Sequence, residues 1–139
     1  VKIYRTKAKK LTGTDYKEIR HKALSSYALI RAKSKRRPYV RSAYFSKEKI
    51  FLGLFWSHLY KKNYRDQRRR MKLFNCAIEL IKKSKCDPDS RENPNRREEL
   101  LHKFFGISPD NELFIVQIKE NKRNNQKWLI SIFPKEKWE

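Results

Sequence analysis

The spacing of apolar residues changes once along this chain, and that change limits the folds open to it. Up to about residue 85 apolar side chains recur at helical intervals, whereas beyond about residue 100 they fall in short runs that read as strands. Ile19, Ala23, Tyr27 and Ile30 share one helical face. The helix is expected to enter at Thr14-Asp15, with Asp15 as cap and Glu18 three residues on, and to run to Lys33-Ser34-Lys35-Arg36-Arg37, where Pro38 stops it. Tyr39 to Phe45 reads as a short strand or a loop. Ser46 followed by Lys47-Glu48-Lys49 reads as a capped entry into a helix over 50–60 that is apolar almost all round and therefore buried. A further helix is expected over 66–83, with Leu73, Phe74, Ala77, Ile78 and Ile81 on one face. Arg68, Arg69, Arg70 and Lys72 crowd its first half, where the helix dipole disfavours cations.

After a polar loop bracketed by Asp87-Pro88 and Asn93-Pro94, the residues Arg96 to Leu101 suggest a helical turn. Strands are expected over 101–107, 112–119 and 127–133, with a turn at Ser108-Pro109-Asp110-Asn111 and a hairpin loop over 120–126. In the last strand Trp128, Ile130 and Ile132 alternate with Leu129, Ser131 and Phe133. Apolar residues on both faces predict a sheet covered on both sides or nearly so. The expected fold is α+β: N-terminal helices packed on a small antiparallel sheet, one domain over 14–139 behind a basic arm at 1–13 that carries Lys2, Arg5, Lys7, Lys9 and Lys10.

Charge follows the same division. The whole formal charge of +21 lies in the first 85 residues, while residues 86 to 139 hold 10 Lys/Arg against 10 acids. So positive a surface repels itself unless a polyanion covers it, and a phosphate backbone does so with counterion release. RNA is therefore the first partner to consider. Arg36, Arg37, Arg41, Arg68, Arg69, Arg70 and Lys72 are the expected phosphate contacts, and Tyr39, Tyr44, Tyr60, Tyr64 and Trp138 could stack on bases. With 13% aromatic residues the chain has enough to bury despite being 37% charged. Cys76 and Cys86 have neither a paired C-x-x-C nor a nearby His, so a reduced pair is expected and no metal or other cofactor is implied. No apolar run approaches 18 residues and no secretory pattern is visible, from which a soluble, cytoplasmic protein without a membrane partner is expected.

A helical half followed by a small sheet ending in Trp128-Leu129-Ile130-Ser131-Ile132-Phe133-Pro134 resembles the barnase, EndoU, colicin and RelE class of ribonucleases, and in particular its phage-associated branch. The matching positions are His58, Arg68, Lys119, Ser131 and Phe133-Pro134. The resemblance implies metal-free RNA cleavage by attack of the 2'-hydroxyl, a role as toxin or mobile-element effector, and restraint by an acidic antitoxin.

Such chemistry needs a base for the 2'-hydroxyl proton, cations for the phosphorane and an acid for the leaving 5'-oxygen. His58, His102, Lys103, Lys119 and Ser131 are the catalytic candidates. Because His102 and Lys103 are adjacent in a strand, only one of them can face the same way as Gln117 or Lys119. Arg41, His58 or Arg68 would then be delivered from the other half. The plainer readings are a core-edge histidine at His58, a packed serine at Ser131 and a solvated arginine run.

Two rival functions follow from other features. Pro109-Asp110 with Gln117-Ile118-Lys119 is similar to a degenerate PD-(D/E)XK motif, which would imply a magnesium-dependent nuclease, although Gln117 stands where a carboxylate is usual. A non-catalytic basic RNA- or DNA-binding module needs only the cations and interleaved tyrosines.

Overall fold

The computed structural model describes residues 2–135, so Trp138 lies outside the described residues. The chain runs β1 (Ile3–Arg5), α1 (Tyr16–Lys33), β2 (Tyr39–Arg41), β3 (Lys49–Phe51), α2 (Gly53–Leu59), α3 (Tyr64–Met71), α4 (Phe74–Lys83), β4 (Asp89–Asn93), β5 (Arg96–Ile107), β6 (Leu113–Asn121) and β7 (Lys127–Pro134). The fold is α+β. The sheet, however, is neither small nor purely antiparallel: it has seven strands in the order β1-β5-β6-β7-β3-β2, with β4 beside β5. β1 pairs with β5 and β3 with β7 in parallel; the other pairings are antiparallel.

Helices cover one face of this sheet. Phe104, Phe114, Val116, Ile118, Leu129 and Ile132 point inward and meet Phe55 and Leu59 of α2, Phe74, Ala77 and Leu80 of α4 and Ile19 and Ala23 of α1. Phe55, Phe74 and Phe114 are fully buried, and each such side chain contributes about 1.5–3 kcal/mol. The other face carries half-buried aromatic residues instead of a second helical layer, so the sheet is fully covered on one side only.

The expected helix over 66–83 is two helices. Between them the Lys72 carbonyl accepts a hydrogen bond from the Leu11 amide at 2.9 Å, and the ladder restarts at Ala77 N to Leu73 O. The break removes the conflict with the helix dipole, because Arg68, Arg69 and Arg70 now occupy the last turn of α3, where cations are favoured. Residues 3–11 of the basic arm lie against the sheet and α4. β1 lies on the edge of β5, and the Glu79 carboxylate of α4 accepts hydrogen bonds from the Tyr4 hydroxyl (2.8 Å) and the amides of Lys7 (2.9 Å) and Ala8 (2.8 Å). Burial alone would raise the Glu79 pKa, but these donors hold it below its ordinary value. The same contact and burial push Tyr4 up to about 12, burial being the larger cause.

Other departures are local. Ile50 and Phe51 pair with β7 before α2 begins, the strand at Tyr39 ends at Arg41, and Arg96 to Leu101 extend β5 instead of turning helically. The turn at 108–111 forms as expected, with Asn111 N donating to Ser108 O at 2.9 Å and Asn111 taking a positive φ of 65°.

Candidate nucleic-acid interface

Residues directly opposite each other in neighbouring strands share a face, and the registers therefore define rows across the uncovered side. One row runs Tyr39, Phe51, Trp128, Lys119, Leu101, Arg91. A second runs Ser131, Gln117, Lys103, Asp89, and a third Phe133, Ile115, Phe105, Ile3. Lys103, Lys119 and Ser131 thus lie together on one face.

Cations stand over the rings of these rows. Arg37 lies 4.3 Å from the centre of Phe51, Lys49 4.7 Å and Arg41 5.5 Å from Tyr39, Lys119 5.2 Å from Trp128, Arg70 5.5 Å from Phe133 and Lys135 6.0 Å from Phe105. An aromatic ring with a cation above it fixes a long, flexible side chain at the surface. A guanidinium so placed offers its outer plane to a base and its edge to a phosphate. Acids also reach this face: Glu99 is 3.6 Å from Lys119 and Asp89 3.5 Å from Arg91 toward β4, and Asp66 adjoins Arg70 at the β7 edge.

The edge of β7 supplies the most concentrated chemistry. β3 pairs with β7 only at Lys127 and Trp128, and past that point α2 and α3 meet the free edge. His58, exposed in the last turn of α2, places Nδ1 3.3 Å from the Ile130 carbonyl. Arg70 of α3 donates to Ser131 Oγ at 3.0 Å and to the Ile132 carbonyl at 3.4 Å, while its Nε pairs with Asp66 at 3.1 Å. Two side chains from the helical half therefore converge on three consecutive residues of the last strand. Beside them a depression of about 440 Å³ is lined by Asp66, Arg69, Arg70, Phe133, Pro134 and Lys135, among others.

The remaining sequence candidates lie elsewhere. His102 points to the covered face, opposite to Lys103, and is 6% exposed. Its Nδ1 is 2.6 Å from Ser90 Oγ and its Nε2 2.8 Å from Glu120, whose other oxygen is 3.7 Å from the buried Lys127, itself paired with Glu48. This network fastens β4 and the start of β3 to the sheet. Arg68 turns away from β7 and donates to the Thr14 carbonyl at 2.7 Å. Successive helical residues rotate by about 100°, so Arg68 and Arg70 face nearly opposite directions and only one of them can reach Ser131. Arg36 is exposed in the turn after α1, at a φ of 67°. Lys72 lies half-buried between α3 and α4.

Asp110 is held at its turn by Ser108 and by Lys10 at 3.0 Å, which keep its carboxyl below the usual range. Among the described residues no three His, Cys, Asp or Glu side chains come together as a metal site. Sequence reasoning missed Lys49, Phe51, Phe105, Trp128 and Lys135 as parts of this face. The alternation in β7 had pointed to Trp128 as a neighbour of Ile132, but a bulge at Ile130 shifts the register, so that Trp128 shares its face with Ser131 and Phe133.

Comparisons of the chain with protein-family models, with curated proteins and with solved structures return no match.

Proposed function

We propose that this chain is an RNA-binding protein that cleaves RNA without a metal ion, the open sheet face holding the strand and the β7 edge holding the scissile phosphate. The observation that carries the proposal is the convergence of His58 and Arg70 on Ile130, Ser131 and Ile132, next to a face of cation-capped aromatic rings. Donation from His58 Nδ1–H to the Ile130 carbonyl leaves Nε2 with its lone pair toward solvent, the form required of a general base. That nitrogen would take the 2'-hydroxyl proton as the 2'-oxygen attacks phosphorus. Arg70, oriented by Asp66 and Ser131, would carry the charge that builds on the phosphoryl oxygens. The bond to the 5'-oxygen then breaks, leaving a 2',3'-cyclic phosphate, and Lys103 or Lys119, on the same sheet face, would return a proton to the leaving oxygen. Ser131 serves to position Arg70 and is not a nucleophile.

The sequence resemblance to the RelE and barnase class would assign the same kinds of residue to these roles, with Arg70 in place of Arg68, although the mixed seven-stranded sheet is not the arrangement of that class. It extends the proposal to a toxin-like effector acting in the cytoplasm under an acidic partner. A second reading is favoured by one observation: Arg70 is already paired with Asp66. On that reading the protein holds RNA without cutting it. Incubation with a structured RNA in excess EDTA separates the two. Cleavage that survives EDTA and is lost in His58→Gln, with RNA affinity within about threefold of wild type, supports the ribonuclease; salt-sensitive binding with no cleavage at any enzyme concentration supports the module and ends the catalytic proposal.

A further inference from the structure

We infer that the groove between α1 and α3 is a second nucleic-acid site, one that takes an unpaired base by stacking on Tyr64. This inference rests on the reading of the chain as an RNA-binding protein and adds a site away from the sheet face. The groove, of about 800 Å³, is lined by the tyrosines Tyr16, Tyr60 and Tyr64, by Lys17, Arg20 and Gln67, and by four further α1 residues that include Leu24 and Ala28, with no carboxylate among the described lining residues.

Its platform is built from the inside outward. Gln67 is 2% exposed and is fixed by donating to the Lys62 carbonyl at 2.7 Å; its Oε1 accepts from the Tyr16 hydroxyl at 2.6 Å. Tyr16 so oriented stacks on Tyr64 at 4.6 Å between ring centres and 28° between planes. Tyr64 nevertheless remains 70% exposed, and Tyr60 on the same groove is 44% exposed with the Arg20 guanidinium 5.7 Å over its ring. With Tyr16 against one face of the Tyr64 ring, the exposure falls on the other. A flat ring held still and left open at the surface is what a nucleobase needs, since every base has a π face and the contact requires no particular sequence. Lys17 and Arg20 supply the phosphate charge. An aliphatic peptide is a poorer fit to the Tyr64 end, because the most exposed surface there is an aromatic ring and the charged lining residues, Lys17 and Arg20, are both cations.

The site is near the proposed reaction centre. Tyr64 and Gln67 meet α1 while Asp66 and Arg70 meet β7; Tyr64 and Arg70 are about 120° apart around α3 and about 9 Å apart along it, so the two sites lie on adjacent sides of the one helix. A single strand crossing that helix would be gripped on both sides of the phosphate at Arg70. Duplex RNA keeps its bases stacked within the helix and gains nothing from Tyr64.

The test is binding of a short uridine oligonucleotide carrying one 2-aminopurine, followed by fluorescence quenching, to the wild-type chain and to Tyr64→Ala, Tyr64→Phe and Lys103→Ala. Stacking predicts that Tyr64→Ala weakens binding by at least about fivefold and abolishes the quench, that Tyr64→Phe retains both, and that affinity for duplex RNA is unchanged. Equal affinity and quench in Tyr64→Ala and wild type overturn the inference; if Lys103→Ala weakens binding in that case, the sheet-face reading stands alone. No binding by the wild-type chain at low salt overturns both.

Discussion

Glu79→Ala is expected to release the basic N-terminal segment from the sheet and to lower stability by about 2–4 kcal/mol. The magnitude comes from the contacts: one carboxylate accepts from the Tyr4 hydroxyl and from the Lys7 and Ala8 amides, at 2.8 to 2.9 Å for the best bond of each. Hydrogen bonds to a charged acceptor contribute about 1.5–3 kcal/mol each when the donor is left buried, but donors that regain water once the carboxylate is gone, as the exposed Lys7 does, lose much less, which brings the three together to about 2–4 kcal/mol. For a chain of this size the loss lowers the thermal midpoint by about 6–15 °C. Hydrogen exchange should quicken selectively in Tyr4, Thr6, Lys7 and Ala8, since Thr6 N is bonded to Ile107 O at 3.0 Å in the same segment. The effect also has a pH signature. Because the folded pKa of Glu79 lies below its ordinary 4.5, its contribution is complete above that value and is lost as the pH falls through the lowered pKa. Wild type and variant should therefore differ at neutral pH and converge in acid. An unchanged midpoint at pH 7 together with wild-type exchange at Tyr4 to Ala8 would refute the claim that this carboxylate anchors the segment.

Further expectations follow from the packing. Gly106→Ala should destabilise by about 1–3 kcal/mol, because an added Cβ would sit 2.4 Å from the Phe114 ring and 2.9 Å from a Leu80 methyl; a denaturation midpoint equal to wild type would show that the two side chains yield. Burial raises the Cys76 thiol to about 11, against a smaller lowering by Thr6, so a disulfide reagent at pH 8 should titrate the half-buried Cys86 quickly and Cys76 only on unfolding. Two equally fast thiols in the native protein would contradict that placement.

The uncovered face joins some of the chain's cations to its aromatic rings. Rings that would read as a second buried layer are instead capped by Arg37, Lys49, Arg70, Lys119 and Lys135, so the aromatic and cationic residues are one structure and not two populations. The α1–α3 groove repeats the combination with tyrosines. His102, by contrast, is absorbed into a polar network on the covered side, and its strand neighbour Lys103 reaches the open face.

What the residues alone determine here are properties that act over a few positions. The helical spacing of Ile19, Ala23, Tyr27 and Ile30, the turn at Ser108 to Asn111, the three long strands and the α+β class are all legible in that way, as is the concentration of charge before residue 86. Tertiary contacts decided the rest. Leu11 bonds the Lys72 carbonyl and splits a continuous helical pattern; β1 and the polar residues 89–93 become strands only because β5 offers an edge; and a single extra residue at Ile130 reverses which side chains share a face with Ser131. The choice of Arg70 over Arg68 has the same origin. Both have the same chemistry and the same local setting, and only the position of β7 relative to the rotation of α3 selects between them.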